Sequence, residues 1–589
     1  MRVYDAKMSH FVKKVPTTEE ERKAIEEEKA KKLKILQTLT ERINAKISAR
    51  EFDETFMRDT YLVLSKNANI LTLWNIRRDA VEAAIARIKA DQPEGAEETI
   101  KQLCEAEMGL AQEALQNDSK SYGAWFHRFW AYERHSGRNA EAEINNCGKA
   151  LSMDTRNFHA WDHLRSVTKL ESIGAERAVQ FSDERLQQDI TNYSAYHYRS
   201  KALPSVKPDP EELMQISSEA LMEEIKLIEG AVFTEPKDQS PWVYAIWLLD
   251  QATKGFPSSL KRDEPVLLSA TTKSVAFSYP VKRTDIQKYI KIGQNATFEP
   301  ATATMLGNPK YQMARNWFVQ GVDGFEVTKA GQTVDQMTRY VDRETIRECL
   351  AENTIKSKSG EAVFREFSDQ VEELIEAEPE VFWPIYFQTL CLLKLGESMS
   401  SYDKLMANYA KMVELDPKRK NVYKSKASAL SIRKALFVDK HKVDEEKTQF
   451  EAILDGRSEL SLRNYGITDI SLLGPLGGLI TDIDLQYGGI ENLCQFQMIP
   501  ALECLNLDDN PITRITPNIR LPNLTFLSLA RTQIQTVEDI KAISAFTSLE
   551  KILVCETALV TDAAEEFQRF VDGLRTPEEA SIRVFIYYL

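Results

Sequence analysis

The stretch "KSYGAWFHRFWAYER", residues 120–134, sets Lys120, Tyr122 and Trp125 just ahead of a His127-Arg128 pair. Taken alone it is an aromatic-rich core helix with unexplained polar company. Further on, His159 and His163 stand four residues apart and share one helix face, a spacing that suits a pair of metal ligands. No HExxH glutamate accompanies them and no third ligand is evident, so ordinary hydrogen bonding is the expectation for both. The chain has no nucleophile elbow, P-loop or dinucleotide fingerprint. A free-standing enzyme is therefore not what these residues suggest.

The elements that carry these residues repeat. "NILTLWNIRR" centres on Trp74, "KSYGAWFHRF" on Trp125, "RNFHAWDHLR" on Trp161, "NYSAYHYRS" on Tyr196 and "DQSPWVYAIW" on Trp242. The middle units are spaced like helix-pair solenoid repeats. Helix-forming stretches such as "EAEINNCGKALSMD" lie between them, so each unit is expected to be a helix hairpin, with the aromatic on its second helix. Asn157 and Asn192, each four residues ahead of the central ring, suit helix entry. The tryptophans themselves read as packing residues that lock neighbouring hairpins. Ahead of the repeats, residues 17–48 form one long charged helix. Its expected start is a Thr17–Glu20 capping box, and Leu33, Ile35, Leu36 and Leu39 give it an apolar docking stripe. The charge run there reads as a solvated face.

Composition narrows the classes. The chain has 589 residues, enough for several domains, and a net charge of −14. That balance disfavours broad nucleic-acid binding and suits partners with basic patches. Seven scattered cysteines without a CxxC pair read as reduced thiols. With no apolar leader, no membrane-length apolar run and no C-terminal lipidation cysteine, a soluble cytoplasmic protein is expected.

The unit N/S-Y/F-x-x-W-x-x-R resembles the repeat of protein prenyltransferase α subunits, over about residues 15–250. The wording and order of the units resemble the Rab-specific geranylgeranyl branch more than the α subunit shared by the farnesyl and type I enzymes. Three departures stand out: Tyr196 replaces a tryptophan, Ala245-Ile246 replaces a His-Arg pair, and Ile70-Leu71 replaces the Asn-Tyr lead. The resemblance implies transfer of geranylgeranyl from geranylgeranyl diphosphate to C-terminal cysteines of Rab GTPases, which an escort protein presents. It also implies an obligate β subunit that carries the zinc and the isoprenoid cavity, so no metal is expected on this chain. Lys120 and Tyr122 fall where the family places a lysine near the diphosphate and a tyrosine beside it; the plain alternative for Lys120 is an exposed lysine at a helix start. Asn157, Phe158 and His159 fall where relatives line the site. Phe158 replaces a tyrosine, so any hydroxyl function there is lost. For His159, substrate contact and structural hydrogen bonding both stay open.

The C-terminal half changes language twice. Residues 255–345 alternate apolar and polar positions between Gly, Pro and Asn, which predicts a β-rich insertion the size of a small sandwich. Some members of the Rab-specific branch carry an immunoglobulin-like domain at this place. Helices resume over 346–445, where Trp383 is expected to mark a sixth, degenerate unit. From 446 to 589, "LSLRNYGI", "IDLQYGGI", "LNLDDNPI", "LSLARTQI" and "ILVCETAL" align Leu462, Leu485, Leu507, Leu529 and Val554, five turns of a leucine-rich repeat with Asn510 closing the middle one. The fold expected is mainly α: a helical-hairpin solenoid over 1–254 and 346–445, with the β-rich insertion and the C-terminal repeats, both expected to be dispensable for the chemistry. The competing reading is a non-catalytic scaffold that uses both repeat types to bind proteins.

Overall fold

The computed structural model describes residues 19–91, 94–210, 215–253, 265–292, 296–301, 313–321, 324–329, 332–352, 354–355, 357–573 and 583–584. The Thr17–Glu20 capping box therefore lies outside the described residues. The chain divides into two compact units, Met1–Lys207 and Pro208–Leu589.

The described residues of the first unit form helices joined by turns: α1 (Glu19–Ala49), α2 (Glu54–Leu64), α3 (Leu71–Asp91), α4 (Ala96–Asn117), α5 (Tyr122–Arg134), α6 (Ala140–Met153), α7 (Phe158–Leu170), α8 (Ala175–Leu186) and α9 (Tyr193–Val206). The aromatic of each repeat is the fourth residue of a second helix: Trp74 in α3, Trp125 in α5, Trp161 in α7 and Tyr196 in α9. All four are buried. Each tryptophan donates its indole N–H to the carbonyl six residues earlier, Ala68, Ser119 or Thr155, which ties the helix to its own entry loop. Side chains close the helix starts: Ser121 accepts from the Ala124 N–H, Asn157 from His159 and Ala160, and Asn192 from Ala195. Gly123 is required by close approach, since a Cβ there would stand 2.5 Å from the Trp74 ring.

Buried carboxylates join the hairpins. Glu107 on α4 accepts two bonds from Arg77 on α3, both 2.7 Å, and lies 2.8 Å from His127 Nε2 on α5. One repeat later Glu143 on α6 does the same with Arg128 (2.9 and 2.6 Å) and His163 (2.9 Å). This explains the polar company that periodicity left open. In the third unit the arginine position is taken by Leu164, which is buried, while Arg165 is exposed and pairs with Asp162. Helix α1 departs from expectation: Leu33 and Ile35 are 55% and 61% exposed, and docking happens further along, through buried Ile43 and the Arg42–Asp59 pair with α2.

The second unit opens with α10 (Ser218–Thr234) and α11 (Gln239–Ala252), where Trp242 repeats the indole bond, to Pro236. Tyr244, and not Ala245 as expected from sequence, takes the histidine's place, donating to Glu224 at 2.7 Å, and Ala245 takes the arginine's. After the β insertion come α12 (Arg343–Leu350), α13 (Lys358–Ala377), α14 (Phe382–Lys394), α15 (Tyr402–Leu415), α16 (Lys420–Phe437) and α17 (Gln449–Leu454). Helix α13 packs on α10 and α14 on α11, so the hairpins on either side of the insertion stack directly on one another. A sixth unit exists, but Trp383 does not mark it. Trp383 is the second residue of α14 and half-buried; the fourth, tryptophan-equivalent position is Ile385, 2% exposed.

Among its described residues the insertion has eight strands: β1 (Leu267–Thr271), β2 (Ser274–Lys282), β3 (Ile290–Ile292), β4 (Thr297–Pro300), β5 (Met313–Gln320), β6 (Phe325–Lys329), β7 (Gln332–Met337) and β8 (Arg339–Val341). They form a five-stranded sheet of order β4-β5-β2-β1-β8 and a three-stranded sheet of order β3-β6-β7, around Phe277, Trp317, Ile290 and Val327. With β8 set aside, this is the immunoglobulin constant-type order, strands A, B, E and D against C, F and G. The leucine-rich repeats contribute β9 (Glu459–Ser461), β10 (Asp482–Asp484), β11 (Cys504–Asn506), β12 (Phe526–Ser528), β13 (Lys551–Leu553) and β14 (Arg583–Val584), all parallel, one strand beyond the five turns legible in sequence. The aligned Leu462, Leu485, Leu507, Leu529 and Val554 are fully buried. Asn510 donates to the Leu485 and Leu507 carbonyls and accepts from Ile490 N–H. Two residues after each aligned position the backbone turns left-handed, at Asn464, Tyr487, Asp509, Arg531 and Glu556.

Sandwich and leucine-rich repeats share a core. Leu268 and Ala276 of the sandwich, Ile346 and Leu350 of α12 and Leu436 and Phe450 of the helical segment belong to the same apolar cluster as the repeat leucines. Asn316 on β5 donates to the Gly474 and Met498 carbonyls, Arg339 on β8 to Ile453 and Leu454. A Cβ at Gly477 would stand 2.3 Å from the Met498 carbonyl oxygen and 2.8 Å from Asn316 Nδ2.

Three outcomes are expected. Glu143→Gln leaves the buried Arg128 guanidinium uncompensated and should destabilise the first unit by on the order of 3 kcal/mol, read as a lowered thermal midpoint. Burial alone would raise the Glu107 and Glu143 carboxyls, but bonds from His127 and Arg77, and from His163 and Arg128, outweigh it and hold both at about 2. Their stabilisation is thus complete above the ordinary carboxylate pKa near 4.5 and lost as pH falls towards 2, a window that Glu143→Gln should narrow in a pH-dependent melt. Gly477→Val should part the sandwich from the repeats and show as faster limited proteolysis at that seam.

Candidate functional site

The residues singled out in sequence gather where α5 and α7 begin. Tyr122 and Phe158 are the first residues of these helices and point outward, 67% and 50% exposed. Their ring centroids are 5.9 Å apart, and the His159 ring sits against both, edge-on to Tyr122 at 4.3 Å and 3.9 Å from Phe158. Tyr193, which begins α9, occupies the same place one repeat later and is also exposed, stacked on His197. Leu71 is its exposed counterpart on α3. The regular hairpin spacing thus places one outward apolar or aromatic side chain per repeat in a row.

Charge enters beside this row. Lys120 is exposed, with its ammonium 3.2 Å from Asp154 in the turn after α6. The starts of α5 and α7 add their positive dipole ends. His159 is largely buried, and burial lowers its pKa, which favours the neutral ring at neutral pH.

Asn157 does not face outward with its neighbours. It is 2% exposed, caps α7 with its oxygen and donates its amide to the Ser119 carbonyl at 2.9 Å, so its side chain is used up in joining two hairpin turns. His163 is likewise committed inward, to Glu143. Among the described residues no group of three or more His, Cys, Asp or Glu side chains could hold a metal ion. A cleft of about 730 Å³ opens between the second and third hairpins, lined by Trp125, Arg128, Lys149, Met153, Asp154 and His163 among others. Lys120, Tyr122, Phe158 and His159 do not line it.

Sequence reasoning missed the groups behind this row. Glu107 and Glu143 stand twenty residues ahead of His127 and His163, a spacing that was readable. Asp118 and Asp154 each precede the helix-capping residue by three, a place where an aspartate is ordinary turn chemistry. As built, the row is an open surface of aromatic rings with one lysine and a phenol. It can grip an anion and stack on an apolar partner.

The description "Protein prenyltransferase alpha subunit repeat" matches residues 104–135, 140–170 and 221–252, which are the hairpins α4/α5, α6/α7 and α10/α11. "Leucine-rich repeat" matches 441–574. The chain is similar to the geranylgeranyl transferase type-2 subunit alpha of Sus scrofa, 27% identical over 546 residues that span 89% of this chain and 91% of that one. It is 27% identical to the Homo sapiens protein of the same name with the same coverage. The Dictyostelium discoideum protein of that name is 29% identical over 71% of this chain and 98% of its own length. A solved Candida albicans protein geranylgeranyltransferase-I structure aligns with 13% identity and a TM-score of 0.38, over 67% of this chain and 90% of that one. The chain thus carries protein prenyltransferase alpha subunit repeats and is similar, over 89% of its length, to proteins named geranylgeranyl transferase type-2 subunit alpha.

Proposed function

We propose that this chain is the α subunit of a type-2 geranylgeranyl transferase, which moves a geranylgeranyl group from its diphosphate to C-terminal cysteines of Rab GTPases. The observation that carries the reading is the similarity to subunits of that name over 89% of this chain and 91% of theirs. The partners are a β subunit that completes the site, the Rab substrate and an escort protein that delivers it. Its place of work in this reading is the cytoplasm; among the described residues no helix is long and apolar enough to cross a membrane.

In this reading the exposed aromatic row is covered by the β subunit. In the reaction a cysteine sulfur bonds to C1 of the prenyl chain, the C1–oxygen bond breaks, the thiol proton is lost and diphosphate leaves with the electron pair. Zinc, held by the β subunit, supplies the thiolate character of the cysteine when bound. Lys120 meets the negative charge that grows on the leaving diphosphate, where a preorganised cation is most effective. Tyr122 donates its hydroxyl to the same group, and the edge-on His159 ring holds the phenol in place. Phe158 lacks a hydroxyl and offers only an apolar wall.

The scaffold alternative is separated by activity. The chain coexpressed with its β subunit should copurify as a stoichiometric zinc-containing heterodimer that prenylates a Rab protein. Lys120→Ala should slow single-turnover transfer by about tenfold to a hundredfold with the heterodimer intact, and Tyr122→Phe by about tenfold. A purified chain that stays alone, or a Lys120→Ala rate equal to wild type, would overturn the assignment.

A further inference from the structure

The turns that end the first helices follow one plan. Asp118, closing α4, accepts the main-chain N–H of Lys120 on one carboxylate oxygen at 3.0 Å. Asp154, closing α6, accepts that of Arg156 at 3.1 Å, and Asp189, after α8, that of Thr191 at 2.9 Å. In the first two turns the second oxygen reaches back to the preceding repeat. Asp118 Oδ2 accepts from Asn69 Nδ2 at 2.7 Å, and Asp154 Oδ2 lies 3.2 Å from Lys120 Nζ. Asn69 and Lys120 hold equivalent places, two residues before Leu71 and Tyr122, the first residues of α3 and α5. The repeat thus builds a bridge whose earlier end is neutral in one case and is Lys120 in the other.

From this we infer that Asp154 is a positioning residue that parks Lys120, and that the diphosphate must take the lysine from it. The inference rests on the role given to Lys120 above. The carboxylate is fixed by its bond within the turn and is 33% exposed, whereas the lysine ends a flexible stem and is 68% exposed. On ligand binding, therefore, the lysine moves and the aspartate stays. While parked, the ammonium is partly neutralised, and the diphosphate binds more weakly than a free lysine would allow. An exposed pair of this kind is weak, so the penalty is a small factor, about two- to fivefold in affinity.

Asp154→Asn is a mild test, because the asparagine oxygen can still accept the Arg156 N–H and keep the turn. Direct titration of the heterodimer with geranylgeranyl diphosphate should show the dissociation constant fall about two- to fivefold in Asp154→Asn. The gain should vanish in Lys120→Ala/Asp154→Asn relative to Lys120→Ala alone, a background dependence that a merely structural aspartate would not produce. If Lys120→Ala weakens binding but Asp154→Asn leaves it unchanged or weaker, or if the gain persists without the lysine, the parking role is wrong. If Lys120→Ala itself binds like wild type, the lysine does not meet the bound diphosphate and the parking role falls, whereas its part in the chemical step is decided separately by the single-turnover rate.

Discussion

A carboxylate shared between an arginine and a histidine, all three buried, is the constraint on which the first unit depends. Stripping water from an ion pair is costly, and an interior glutamate persists only where donors on both sides replace that water. Glu107 and Glu143 meet this condition by drawing one donor from the hairpin before and one from the helix that completes their own. The geometry of a bidentate arginine is narrow, so consecutive hairpins are held in one register. That register is why Tyr122 and Phe158, in themselves unremarkable first residues of helices, come to stand side by side.

The indole bonds complete the arrangement from the other side. A tryptophan in the fourth helical position, bonded to its own entry loop, fixes where each second helix starts. Helix starts carry the outward residues and the dipole ends, so a fixed start is a fixed surface. Packing deep in the solenoid and the surface shown at its rim are therefore the same structural decision.

Much of this was legible in sequence and some was not, for physical reasons. The tryptophan period and the leucine period could be read because each position buries a large side chain in every repeat, and Asn157 and Asn192 because helix entry has its own chemistry. Trp383 misled because a large aromatic stands two residues before the buried position that Ile385 fills. Leu33 and Ile35 misled because an apolar stripe shows that a face could dock, not that this chain supplies the surface. Glu107 and Glu143 were passed over because a glutamate on a helix is usually solvated, and only the donors from two other helices identify these as buried. Asn157 was placed correctly in the helix entry, and that same capping role turns its side chain inward, whereas Phe158 beside it is exposed. The seam between sandwich and repeats left no signal, since its contacts join residues more than a hundred positions apart.

The stacking of α10/α11 on α13/α14 bears on how such a chain changes over generations. The sandwich leaves and re-enters the helical stack between hairpins that already touch, so its gain or loss need not disturb them. Its other boundary is less forgiving, because Leu268, Ala276 and Asn316 complete a core and a hydrogen-bonded seam that the leucine-rich repeats also use. A lineage that discarded the sandwich alone would inherit repeats with a bare flank. The two modules are thus expected to be kept or shed as a pair, and shorter members of the family to be short by both.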